Sequence, residues 1–446
     1  MRSCRFINPC WRFGLAACLF FLNLAGRADT LPESPEAATT NQQLTIQACR
    51  QIALANQPTI AATQAALKAA LDRQHALETL RVPDCLARDL PLRRKQAAIG
   101  VTIAQAAVTQ AEAETLHGIT ASYLGALYAA QQVRLANDPD HGIRRRLKDL
   151  QTLVDDLVKN KERREVTLPE HRNLVRSFLE TLDGRVSEAV QGELRAQAAL
   201  REAMGLGPNC PVVIPDRDLP CPRVTPPSLN ELIELALARR GEMIQAIGFA
   251  EVACLEVDAQ ASRRRPSMRT FASGSDIHAK PIPSADLGGV DFRPSIVGPD
   301  MPVFLNGSRD ARVQQAKDYC ERARALTAKT RNLIALEVED LYRRWLDKSG
   351  KAAHLEKAYQ EAVAFSEKVK ASFNKQERGS YPNVDEVINA GLIATRLQLE
   401  WKEAHYQSLL ALAALERATA GGFAVDFDAA PACENNKETP GQSNGR

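Results

Sequence analysis

The sequence predicts a mainly α protein: two tandem repeats of long antiparallel coiled-coil helical hairpins, with at most a small β-hairpin portion. Three observations predict it: the composition, an internal repeat, and an apolar period of 3.5 residues. Of 446 residues, 45% are hydrophobic, 25% charged and only 5% aromatic, with 24 glycines. That Ala/Leu/Glu/Arg-rich balance excludes a large all-β protein. The formal charge is +3, but Arg2, Arg5, Arg12 and Arg27 precede residue 29 with no acid among them. The remainder holds 53 basic and 54 acidic side chains, which excludes a global nucleic-acid-binding charge.

Residues 1–28 read as a secretory signal. Three arginines precede the apolar run Phe13–Leu24, which is too short to span a bilayer and ends in small residues at Ala25, Gly26 and Ala28. The competing reading is an N-terminal membrane anchor, because Leu15-Ala-Ala-Cys18 loosely resembles a lipoprotein box; that box lies too early, with more apolar residues after it. Residues 29–43 read as a flexible lead-in. No other segment has the ~20 apolar residues of a transmembrane helix.

Two repeats follow, 44–207 and 228–422, joined by a Pro-rich linker at 208–227. Thr45–Pro58 recurs as Ser228–Gly241 at an offset of 183; Ala199–Gly205 recurs as Ala414–Ala420 at 215. The larger later offset places extra residues of the second copy within 265–310, where 266–306 is the candidate β-hairpin, interrupted by Pro294.

Within the second repeat a 4,3 spacing runs through Ile334, Val338, Leu341, Trp345, Lys348, Ala352, Leu355, Tyr359, Ala362, Ser366, Val369 and Phe373. Such a period makes a left-handed supercoiled seam, and it puts Trp345 and Tyr359 in the core. In the first repeat the returning helix keeps the spacing from Val175 to Ala203, whereas Asp138-Pro139 interrupts the outgoing one and predicts a break near 137–141. Capping boxes at Thr167–Glu170 and Asn383–Glu386 place the hairpin tips near 160–168 and 375–383. Residues 423–446 read as a disordered tail.

An Asn-Lys-x-x-Arg pattern recurs at both tips, Asn160, Lys161 and Arg164 in the first and Asn374, Lys375 and Arg378 in the second. They are candidates for gating or for contact with another protein, against the plainer reading of a solvated, charged turn. Cys210 and Cys221 flank the linker and could close a disulfide worth roughly 3 kcal/mol, the alternative being two unpaired thiols.

The ordered set of these features resembles the TolC-type outer-membrane efflux proteins: Leu44-Thr-Ile with Ala53-Leu-Ala-Asn-Gln-Pro58, its echo after a Pro-rich linker, coiled hairpins, and the closing Ala411–Ala420 segment. The resemblance covers nearly all of 44–422. It implies a homotrimer in the outer membrane, a passive conduit joined to an inner-membrane transporter through a periplasmic adaptor. The chain departs from that pattern at Arg81–Lys95, whose two prolines and five basic residues cannot supply two strands of roughly 9–11 residues. A second reading follows from that departure, a periplasmic coiled-coil structural or adaptor protein that does not span the membrane.

Enzymatic readings find little to stand on. Glu114-Thr-Leu-His117 has the Glu-x-x-His spacing of di-iron bundles, but no second such motif exists. No Gly-rich phosphate loop, nucleophile elbow or Cys/His cluster occurs, so no catalytic residue, cofactor or metal is expected.

Overall fold

The computed structural model describes residues 44–82, 87–138, 142–159, 169–215, 218–222, 224–225, 227–262, 270, 301–302, 304–375 and 384–428. Among these, nine helices occur: α1 (Ile46–Asn56), α2 (Pro58–Thr79), α3 (Leu90–Asn137), α4 (Ile143–Lys159), α5 (Pro169–Ala203), α6 (Leu229–Arg239), α7 (Gly241–Ser262), α8 (Arg309–Lys375) and α9 (Val384–Ala418). The described residues contain no β-strand, only isolated bridge residues at Pro220 and Phe304. The β-hairpin expected at 266–306 lies almost wholly outside them. So do residues 1–43.

The same succession of lengths occurs twice. α1 and α6 have 11 residues each, α2 and α7 have 22, and α5 and α9 have 35. Both short helices start at a hydroxyl cap: the Thr45 side chain accepts from Ala48 N (3.2 Å), and Ser228 forms a reciprocal box with Glu231. Between α2 and α7 on one hand and the long helices on the other, the chain differs. α8 runs unbroken for 67 residues, roughly 100 Å at ~1.5 Å per residue. Its counterpart is divided, since α3 ends at Asn137 and α4 begins at Ile143, where the Asp138-Pro139 interruption predicts a break.

α3 packs on α5 and α8 on α9, which makes two hairpins; α3 also touches α9 and so joins them. The lateral order is therefore α5, α3, α9, α8. α7 bridges α3 and α8 at one end of the bundle, and α4 meets α5 and α9 at the other. All twelve positions of the predicted α8 seam are buried or half-buried, including Lys348 and Ser366. Trp345 and Tyr359 accordingly sit in the seam, Trp345 beside Tyr342 and Tyr359 stacked on Trp401.

Three apolar clusters divide the length. The largest joins α1, α3, α6, α8 and α9 around Ile46, Tyr123, Leu232, Val338 and Leu415. A second, toward the hairpin tips, gathers Leu147, Val175, Val369 and Ile388. The third, around Ile103, Phe249 and Met301, lies where α7 crosses α3. There the backbones approach closely: a Cβ on Gly241 would lie 2.3 Å from Ala106 O, and one on Gly248 would lie 2.7 Å from Ile103 Cγ1.

Two expectations are corrected. Cys210 is a free thiol and Cys221 is disulfide-bonded, so these two do not pair with each other. The linker ends are anchored on different elements, with Leu44 N donating to Val213 O (3.1 Å) and His405 Nε2 on α9 donating to Pro220 O (3.0 Å). Instead, Cys254 of α7 and Cys320 of α8 form a disulfide. Nor is the segment after 422 a tail from its start. Phe423, Val425 and Phe427 are buried, and the Asp428 carboxylate accepts from Ile46 N (3.2 Å) and Gln47 N (2.9 Å) at the start of α1.

Candidate functional site

Long paired helices bury few charges by necessity, so the charges that are buried mark where the hairpins are fixed. One cluster joins four helices. Arg240, at the α6–α7 junction, pairs with Glu242 (2.6 Å) and with Glu337 on α8; Glu337 also receives Arg417 of α9, which reaches Glu114 of α3 (2.9 Å). Burial alone would raise the Glu337 carboxyl, but Arg417 and Arg240 outweigh it and hold it at about 2. Glu242 is likewise lowered, burial being overcome by Arg240.

A second buried polar set lies at the α7 end. Arg93 grips Glu256 through both Nη atoms (2.5 and 3.0 Å), and the chain of contacts continues through Gln260 to Arg312 on α8. The Cys254–Cys320 disulfide lies in the same stretch of α7. Together, ionic cluster and disulfide set α7 rigidly against α8 and α3. Both sets tie neighbouring helices together through buried charge and amide contacts.

Among the described residues no group of three or more His, Cys, Asp or Glu side chains could hold a metal ion. The Glu114 carboxylate of the Glu-x-x-His motif is engaged by Arg417. No described helix is long and apolar enough to cross a membrane.

The tip residues are not brought into view. Asn160, Lys161, Arg164 and Arg378 lie outside the described residues; Asn374 and Lys375 are the last two residues of α8, with their side chains also outside them. The ionic cluster escaped sequence reasoning, although one signal existed: Arg240 occupies the repeat position of Gln57. Gln57 makes a different contact in the first half, donating to Glu202 O and Ala203 O (both 3.1 Å) at the end of α5.

The outer helices carry a different feature. α5, at one edge of the lateral order, exposes Leu174, Phe178, Val190 and Leu194, and α8, at the other, exposes Leu336, Leu346 and Phe365. These side chains stand singly or in pairs along their helices, and α9 exposes Ile393 as well.

No protein-family model matches the sequence, and no curated protein does. Solved structures do match. The outer-membrane channel OprN superposes with a TM-score of 0.63 at 15% identity, over 84% of this chain and 90% of that one. The outer membrane protein VceC of Vibrio cholerae gives 0.59 at 16% identity over 85% and 97%. The chain has the TolC-type fold. The MtrE outer membrane channel of Neisseria gonorrhoeae, in its open state, shares that fold with a TM-score of 0.57 at 15% identity, over 84% of this chain and 89% of that one. In this chain the two hairpins lie side by side and α7 joins α3 to α8.

Proposed function

We propose that this chain is the outer-membrane channel component of an efflux or export system. It is exported through its 1–28 signal and assembles as a trimer into a passive conduit. An inner-membrane pump drives transport and a periplasmic adaptor connects the two, so the chain performs no catalysis of its own. The observation that carries this reading is the superposition on outer-membrane channels over 84–85% of this chain and 89–97% of theirs. α5 and α8 lie at opposite sides of the four-helix order, so α5 of one copy meeting α8 of the next is a heterologous contact, which closes into a ring when the rotation permits. A ring of long helices encloses a water-filled path.

The tip residues Asn160, Lys161, Arg164, Asn374, Lys375 and Arg378 then recur around the inner mouth, where they would gate the path or meet the adaptor. One observation favours a second reading, a periplasmic coiled-coil scaffold. Only residues 80–89 separate α2 from α3, too few for two membrane strands of roughly 9–11 residues.

Envelope fractionation separates the two. A conduit stays with the outer membrane through salt and carbonate washes; a scaffold appears in the soluble periplasmic extract, and that result would contradict the proposal.

A further inference from the structure

Midway along the first hairpin, α3, α5 and α9 part around a cleft of about 520 Å³. Small-molecule sites occupy roughly 300–1,000 Å³. Small residues keep it open, Gly125 and Ala129 on α3 facing Ala189, Gly192 and Ala196 on α5. A Cβ on Gly192 would meet no atom within 4 Å, so the space begins at the helix backbone.

The floor is aromatic and rich in donors. Tyr128 and Tyr406 stack with ring centroids 4.3 Å apart and planes 2° from parallel. Burial pushes both hydroxyls up, that of Tyr406 to about 12, so both remain protonated at neutral pH. Beside them the Gln132 side-chain amide nitrogen is buried and finds no acceptor. A buried amide donor in that state is answered by an oxygen brought from outside.

The walls carry two charges of each sign. Arg185, Glu188 and Arg195 project from α5, and Glu403 from α9. The three on α5 make no hydrogen bond or ion pair with any described residue. Glu403 accepts only from Gln407 Nε2 on its own helix (3.3 Å). Arg185 and Arg195 are ten residues apart, about 15 Å along a helix, with Glu188 between them. All four side chains are exposed and solvated, so they select by sign alone, and a ligand of one sign would also face its own kind.

We infer that the cleft binds a planar aromatic zwitterion. Its ring lies against the Tyr128–Tyr406 pair. Its carboxylate takes the Gln132 amide and an arginine of α5, and its ammonium faces Glu188 and Glu403. The site is formed by one chain alone, so it stands apart from the conduit reading: loss of ligand binding would leave membrane association untouched, and a soluble periplasmic chain would still bind.

Three compounds sharing one ring test the charge requirement: L-tryptophan, tryptamine and indole-3-propionate, titrated into the purified full chain by calorimetry with ligand-observed NMR. L-Tryptophan should bind at least about tenfold more tightly than either singly charged compound. Gly192→Leu, which fills the cleft from an open position, should abolish binding with the far-UV circular dichroism unchanged, and Tyr128→Leu should weaken it about tenfold. Equal affinity for all three compounds, no binding of any, or tryptophan binding that survives Gly192→Leu would overturn the assignment. So would protection of Gly192→Cys from a small thiol reagent in the assembled protein, since a second copy would then fill the cleft.

Discussion

Arg240 and Glu337 stand 97 residues apart in sequence and meet as a buried ion pair, Arg240 at the start of α7 and Glu337 midway along α8. Neither charge has water to fall back on, so each depends on the other. Arg240→Met leaves Glu242 and Glu337 desolvated with less compensation and should destabilise the chain by roughly 3–5 kcal/mol, read as a lowered urea midpoint. The acid response has a definite sign. Because Glu337 is depressed to about 2, its contribution is complete above its ordinary value of 4.5 and disappears as pH falls from there toward 2. Glu337→Gln should flatten the stability profile in that window.

His405 gives a second pH signature at higher values. Burial, aided by Lys402, depresses the imidazole to about 4 against the pull of the Pro220 carbonyl. The unfolded chain therefore binds a proton that the folded chain refuses between about 6.5 and 4. Stability from this group is full above about 6.5 and declines as pH drops through that interval. Urea midpoints at pH 7 and pH 5 should differ less in His405→Asn than in the parent chain.

The Cys254–Cys320 bond closes a loop across a sequence separation of 66 and ties α7 to α8. On the chain-entropy account such a loop is worth about 4 kcal/mol. Cys254→Ala with Cys320→Ala should lower the thermal midpoint, and reduction should lower it by less in the double variant than in the parent chain, the disulfide at Cys221 accounting for what remains. A bond of this kind is in keeping with an oxidising compartment.

Helices α5 and α9 end in the same turn. Gly205 N donates to Glu202 O and Leu206 N to Arg201 O; Ala420 N donates to Arg417 O and Gly421 N to Glu416 O. The turn needs a left-handed residue, which Gly205 supplies at φ 70° and Ala420 at φ 47°. Ala420→Gly should therefore stabilise by about 1 kcal/mol. Gly205→Ala should destabilise by more than that, because its Cβ would lie 2.5 Å from Asn56 O. Differential scanning calorimetry of the pair would show opposite shifts.

Features that depend on periodicity were legible in the sequence, since the side of a helix that is buried follows from spacing alone. The α8 seam from Ile334 to Phe373 and the break after Asn137 are of that kind. Partnership across many residues was not. Nothing local to Arg240 selects Glu337, and nothing local to Cys254 selects Cys320, because both pairings arise from how α7 lies on α8. The flanking position of Cys210 and Cys221 misled for the same reason: closeness in sequence is no guide when Val213 and Pro220 are fastened to different elements. The buried run Phe423–Phe427 was hidden by the polar residues that follow it. The cleft floor was invisible, since Tyr128 and Tyr406 come from opposite halves of the chain.

The mass of the detergent-extracted assembly tests the central claim most directly, because the conduit exists only if the α5 and α8 edges close a ring between copies. The account predicts a three-chain particle with an axial water-filled hole, dispersed by Phe178→Asp or Phe365→Asp. A single chain in solution, unchanged by either substitution, would contradict it.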